Sequence, residues 1–192
     1  GGGGGGEARL AGVQVQTSLL GERIVIGWGR ARTSCNLVDY VGFKSTAHSQ
    51  GGKGGGSYTS YTYTASVIMV LCEGPTGGVR TVYKDSSVLT NGATTALAQA
   101  GLSLATGTLT QAPWGYMTSL YPDHALGYST LAYVYAQDYA LGSGAALSNH
   151  AFEVDFSIQF GPNGDAVPAD IATDFLTNAS YGVTGWSAGL IG

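Results

Sequence analysis

The residues able to do chemistry are few, and their spacing limits what they can be. Three histidines, His48, His124 and His150, two cysteines, Cys35 and Cys72, and 12 carboxylates are spread over 192 positions. A serine hydrolase elbow needs Gly-x-Ser-x-Gly, a zinc protease needs His-Glu-x-x-His on one helix face, and a calcium loop needs alternating acids before a glycine. The zinc and calcium patterns are absent, and the one Gly-x-Ser-x-Gly string, Gly185-Trp186-Ser187-Ala188-Gly189, lies in a Gly-rich segment whose sequence shows no strand-then-helix pattern to make it an elbow. Cys35 and Cys72 match no metal-ligand spacing and lie in apolar or mixed strand-like segments, which predicts buried free thiols, with a single disulfide as the alternative. Asp123, beside His124, and Asp138 are the carboxylates that a glycosidase reading would pair, but a chain with 12 acids offers many such pairs. No catalytic residue, metal site or cofactor is assigned. The expectation is a protein that is not an enzyme.

The stretch Gly51-Gly52-Lys53-Gly54-Gly55-Gly56 has the composition of a phosphate-binding loop but lacks its Gly-Lys-Ser/Thr ending and the helix that would aim amide donors at phosphate. A strand-like run follows it, so a hairpin loop that orders against a neighbouring subunit is the expected role. Trp114, after Pro113, suits a core or interface anchor better than a carbohydrate platform. These seven residues are the candidate interface.

The elements that must position them read mainly as strands. With 32 glycines and 12 tyrosines among many serines and threonines, the composition favours an all-β chain with long Gly-rich loops and one or two short helices. Alternation predicts short strands over 13–17 and 23–28, a longer one over 32–41 ending in the polar segment 44–50, and a central strand over 58–71. A short strand over 79–84 precedes the Asn91-Gly92 turn signal, and 94–100 reads as a short helix stopped by Gly101. Residues 127–139 form another strand. In 151–160, Phe152, Val154, Phe156, Ile158 and Phe160 face one side, with Glu153, Asp155, Ser157 and Gln159 on a wet or partner-facing side. Proline at 168, Asp170 in the first turn and the apolar set Ile171, Phe175 and Leu176 predict a helix over 168–177. Residues 1–9 read as a flexible Gly-rich arm, 10–182 as one β-rich module and 183–192 as a Gly-rich terminal segment.

Charge is scarce and divided. Only 10% of residues are charged, against about 25% in typical domains. All eight basic residues lie in the first 84 positions beside four acids, a balance of +4; from Asp85 onward there are eight acids and no Lys or Arg, a balance of −8. The halves either pair within one fold or meet between adjacent subunits. A surface so poor in charge and rich in tyrosine suits burial among partners. Basic residues this few and offset by acid predict no specific nucleic-acid binding. No signal peptide is recognised, and no apolar run reaches the roughly 20 residues of a membrane helix.

Several segments in order resemble a known family. They are Val13-Gln14-Val15-Gln16-Thr17-Ser18 followed by Gly21 and 24–30, the 51–56 loop, Tyr61-Thr62-Tyr63, Leu71-Cys72-Glu73-Gly74-Pro75 and Gln111-Ala112-Pro113-Trp114-Gly115-Tyr116. Ala125-Leu126-Gly127-Tyr128, 148–154, Pro168-Ala169-Asp170-Ile171 and Leu176-Thr177-Asn178 continue it. Together they resemble phage tail tip or baseplate-hub proteins, related to the lambdoid tail tip attachment protein and the hub of gene transfer agents. The resemblance implies β-barrel-like hub domains and a homotrimer in the virion, made in the host cytoplasm. It implies a place where the tail tube meets the tip, against the distal tail protein and near the tape measure. It also implies that the chain corresponds to the N-terminal portion of longer relatives. A receptor- or glycan-binding β-module is the alternative.

Overall fold

A computed structural model of the chain describes residues 6–14, 23–51, 57–92, 95–156 and 164–182. The expectations for 15–17, for Gly52, Lys53, Gly54, Gly55 and Gly56, for Ile158 and Phe160, and for 183–192 lie outside them. The fold is mainly β. The strands are β1 (Arg30–Ser34), β2 (Asn36–Gly51), β3 (Ser57–Glu73), β4 (Gly78–Lys84), β5 (Ser87–Asn91), β6 (Ser103–Ala105), β7 (Leu131–Gly142) and β8 (His150–Asp155). Three short helices join them: α1 (Ala96–Gln99), α2 (Gly115–Leu120) and α3 (Pro168–Thr177), with a 3-10 turn at Pro122–His124. The strands form two open antiparallel sheets, ordered β1-β8-β4-β5 and β2-β3-β7-β6. Cys35 is the corner where the chain leaves β1 in the first sheet for β2 in the second.

The strand β3 sets the layering. Ala65, Val67, Met69 and Leu71 face the first sheet and pack with Val79 and Val82 of β4 and Phe152 and Val154 of β8. The intervening Ser66, Ile68 and Val70 are buried as well. Ile68 and Val70 lie in a second cluster with Val41, Met117 and Tyr133, roofed by the segment 106–130 that carries α2 and the 3-10 turn. The sequence reading places one apolar face on this strand; the structure buries both from Ala65 to Cys72. Along β7 the alternation divides the same way, Ala132, Val134 and Ala136 into the first core and Tyr133 and Tyr135 into the second.

Tyrosines follow this plan. Tyr40, Tyr61, Tyr63 and Tyr139 belong to the first core, and Tyr116, Tyr121, Tyr128, Tyr133 and Tyr135 to the second. Nine of the 12 tyrosines therefore pack on the chain's own interior and not on the partner-facing surface that their abundance suggests.

Elsewhere the boundaries shift. The segment 23–28 is not a strand: Gly27 lies where a Cβ would fall 2.6 Å from the Phe156 ring, and Gly29 turns the chain with φ +70. A backbone tie holds it to the end of β3, Glu73 N donating to Val25 O at 2.8 Å. Polar residues 44–50 continue β2 as a regular ladder against β3 and do not end it. β5, β6 and α2 are additional to the sequence reading, whereas α3 has the expected bounds. Asp155 does not lie on a wet face; it is 6% exposed.

Phe152, fully buried between the sheets, has no space to relax into if truncated. Phe152→Ala is expected to lower unfolding free energy by about 3–5 kcal/mol. Denaturant titration followed by tryptophan fluorescence measures it, and a loss below about 1 kcal/mol would contradict the packing described.

Candidate functional site

The 51–56 segment does close a hairpin: Gly51, the last residue of β2, pairs with Ser57, the first of β3. Behind it Thr46 to Gln50 of β2 and Tyr58 of β3 are exposed, so the hairpin runs out beyond both cores. Residues 7–10 lie along its β3 edge, with Glu7 N donating to Thr59 O at 3.1 Å and Leu10 N to the Tyr63 hydroxyl at 2.9 Å. Trp114 is elsewhere. It is half-buried in the roof, its ring 4.8 Å from those of Tyr116 and Tyr135. Two candidates chosen together are thus two separate places.

The roof also carries exposed apolar side chains that the sequence reading missed. Leu109, Leu120 and Leu126 are 72%, 62% and 58% exposed. Gln111 braces this segment: its Oε1 accepts from Gly107 N at 2.8 Å, and its Nε2 reaches the carbonyls of Gly127, Tyr128 and Leu131 at 2.9–3.2 Å. The leucines therefore stand on a fixed surface. No periodicity signals them, because the segment is irregular.

The titratable residues are held structurally. His48 Nε2 meets Thr62 Oγ1 at 2.8 Å on the exposed hairpin, and His124 Nδ1 lies 2.9 Å from an Asp39 oxygen. Asp138 is engaged by Lys44 at 2.8 Å, which raises the lysine pKa, while Asp123 sits in the 3-10 turn. His150 is buried. Its Nδ1 lies 2.6 Å from the Ser148 carbonyl, which only accepts, so this nitrogen carries the proton; Nε2 then accepts from the Tyr139 hydroxyl at 2.8 Å. Burial pushes the His150 pKa below its ordinary value. Cys35 and Cys72 are free, and burial raises each to about 12, so both are unreactive thiols.

Ion pairing joins the two halves of the sequence inside one fold. The buried carboxylate of Asp155 accepts from Arg30 Nε at 2.6 Å through one oxygen and from Arg80 Nε at 2.5 Å through the other. The carbonyl of the same residue accepts from Thr76 Oγ1 and Gly77 N, each at 2.8 Å. Alongside, Arg32 stacks 3.9 Å over the Tyr83 ring and Thr81 Oγ1 donates to Glu153 at 2.7 Å. Lys44 with Asp138 repeats the pairing of early base with late acid. At the far end, burial alone would raise the Asp174 pKa, but hydrogen bonds from Tyr181, Asn178 and Trp28 outweigh it and lower it. Among the described residues no group of three or more His, Cys, Asp or Glu could hold a metal ion, and no helix is long and apolar enough to cross a membrane.

No family model matches the sequence, and no curated protein matches it. Among solved structures, the chain is similar to one described as the virion of a native gene transfer agent particle, with 22% identity and a TM-score of 0.49. The match covers 84% of this chain and 32% of that one, so this chain spans about a third of its length.

Two measurements probe the electrostatics. Asp155→Asn removes the charge that holds two arginines in a largely buried site and is expected to cost about 3–5 kcal/mol. Lys44→Ala, on an exposed side chain, should leave the denaturation midpoint almost unchanged. Equal effects in urea titrations would refute the distinction. For His150 the folded pKa lies below the unfolded one, so its contribution is complete above the unfolded value of about 6.5 and is lost as pH falls from there through the folded value. His150→Gln should flatten the fall in stability between about pH 7 and pH 5. An unchanged slope would show that the imidazole is not the titrating group.

Proposed function

We propose that this chain is a structural subunit of a phage-like virion, a hub-type module at the tail tip. On this reading it closes the distal end of the tail tube and anchors tip proteins for host attachment and genome delivery. It works by assembly, as a homotrimer against the distal tail protein and the end of the tape measure, and no residue is given a catalytic role. The observation that carries the reading is the fixed roof with exposed Leu109, Leu120 and Leu126, on a chain with only 10% charged residues. Charge is what ordinarily keeps such a surface from associating. The segment-by-segment resemblance to tail tip proteins adds the setting, and its pieces from Tyr61 onward fall on the central strand, the roof, β8 and α3.

The internal ion pairs refine how subunits would join. Because Arg30 and Arg80 both engage Asp155 and Lys44 engages Asp138, contacts between subunits would rest on apolar and neutral polar surface more than on basic and acidic halves meeting across an interface. The same matching leaves the net −4 of the chain without a basic stripe drawn from these cations, which suits a conduit along which DNA slides without sticking. A glycan-binding module would want an open aromatic platform, and Trp114 is packed against two tyrosines instead.

The combined variant Leu109→Asp, Leu120→Asp, Leu126→Asp should fold with a thermal midpoint near the parent's, since exposed sites away from the core contribute little. It should fail to form homotrimers in sedimentation analysis and fail to enter tails when particles are imaged by cryo-electron microscopy. Wild-type-like tails built with this variant, or normal tails lacking the protein altogether, would overturn the reading.

A further inference from the structure

A cleft of about 370 Å³ opens between the start of β4 and β6, beside α1. Val79, Leu97, Leu102 and Leu104 give it an apolar lining, and Arg80 and Asp155 form its polar side. That volume and mixture are typical of ligand sites, with a few polar groups set in apolar walls. Nothing in the tail-tip reading uses it.

We infer that this cleft binds the C-terminal end of another polypeptide, taking an apolar last side chain together with its free carboxylate. Three independent features converge on that chemistry. The leucine walls accept an aliphatic side chain. The polar side carries a surplus cation: Asp155 is one acid between Arg30 and Arg80, each guanidinium giving its Nε to it, and the neighbouring acid Glu153 stands in register opposite Arg32. A guanidinium has five N–H donors, and only one from Arg80 goes to Asp155, so a carboxylate is the group it would complete with. Open backbone is the third feature. β5 pairs with β4 only from Thr81 to Lys84, and a register slip between Val79 and Thr81 sets Arg80 out of the ladder with β8. β6 pairs only with β7 among the described residues. Two strand edges therefore flank the cleft, and a peptide backbone can add to such edges, which a fatty acid or other small carboxylate cannot.

This inference stands apart from the tail-tip reading and survives or fails without it. The test is a titration of the 15N-labelled full chain with acetyl-Gly-Gly-Leu as the free acid, with the same peptide as its C-terminal amide, and with octanoate. The free acid should give saturable shifts at Gly78, Arg80, Leu102 and Ser103, with a dissociation constant of about 1 mM or tighter. The amide, and the free acid on Arg80→Gln, should each bind about tenfold more weakly. Ser103→Trp, which places bulk at the exposed rim without touching the ion pairs, keeps the test decisive if Arg80→Gln does not fold, and should abolish the shifts. Equal binding of acid and amide, octanoate binding as well as the peptide, shifts located elsewhere, or no saturable shift would each overturn the assignment.

Discussion

A strand buried on both faces imposes a requirement that the rest of this molecule meets. From Ala65 to Cys72, β3 offers water nothing, so each of its faces must be covered, and by different means. The inward face is met by a second sheet, in which Phe152 and Val154 interdigitate with Val67 and Met69. Among the described residues no third sheet covers the outward face. An irregular stretch of chain covers it with rings, Trp114, Tyr116, Tyr121 and Tyr128 among them, and Gln111 adds side-chain hydrogen bonds to the backbone turns that hold it. Irregular cover leaves some apolar side chains pointing outward, which is how the exposed leucines arise.

Charge is used with the same economy. The carboxylate of Asp155 satisfies two arginines from different strands, while its carbonyl ties the turn before β4 through Thr76 and Gly77. One residue thus connects β1, β8 and β4. The histidine at the other end of β8 is handled without any charge, as a neutral ring between Ser148 and Tyr139. Both solutions keep ionisable groups inside the fold at modest cost because every polar atom has a partner. Among the described residues no buried side-chain nitrogen or oxygen lacks one.

How much of this was legible depends on range. Alternation along β3 and β8 and the proline and apolar face of α3 are local signals, and they located those elements from the letters alone. The division of basic and acidic halves was also visible, but not its resolution: Arg30 and Asp155 are 125 positions apart, and no pattern of neighbours reports such a contact. The segment 23–28 looks like a strand because Ile24, Ile26 and Trp28 alternate, but it finds no strand partner; Gly27 instead lies against the Phe156 ring, a tertiary contact. The roof was missed for the opposite reason, since it has no period to detect. Of the candidate interface, the hairpin position of Gly51 could be read from the strands on either side, whereas the aromatic neighbours of Trp114 come from β7 and the roof, brought together only by folding.

The pairing of β1 with β8 also orders events in time. As the chain leaves the ribosome, β2 and β3 can meet as soon as Glu73 has emerged, and β7 can join them some 60 to 70 residues later. The first sheet cannot close until β8 has been made, because β8 lies between β1 and β4 and supplies the carboxylate for both arginines. Between the making of β3 and that of β8 the nascent protein therefore displays the inner face of one sheet with its cover incomplete, and Arg30 waits 125 positions for its partner. Contacts of such long sequence separation fold slowly and expose sticky intermediates. Low charge makes that interval more hazardous, because little repulsion keeps such intermediates apart until β8 arrives.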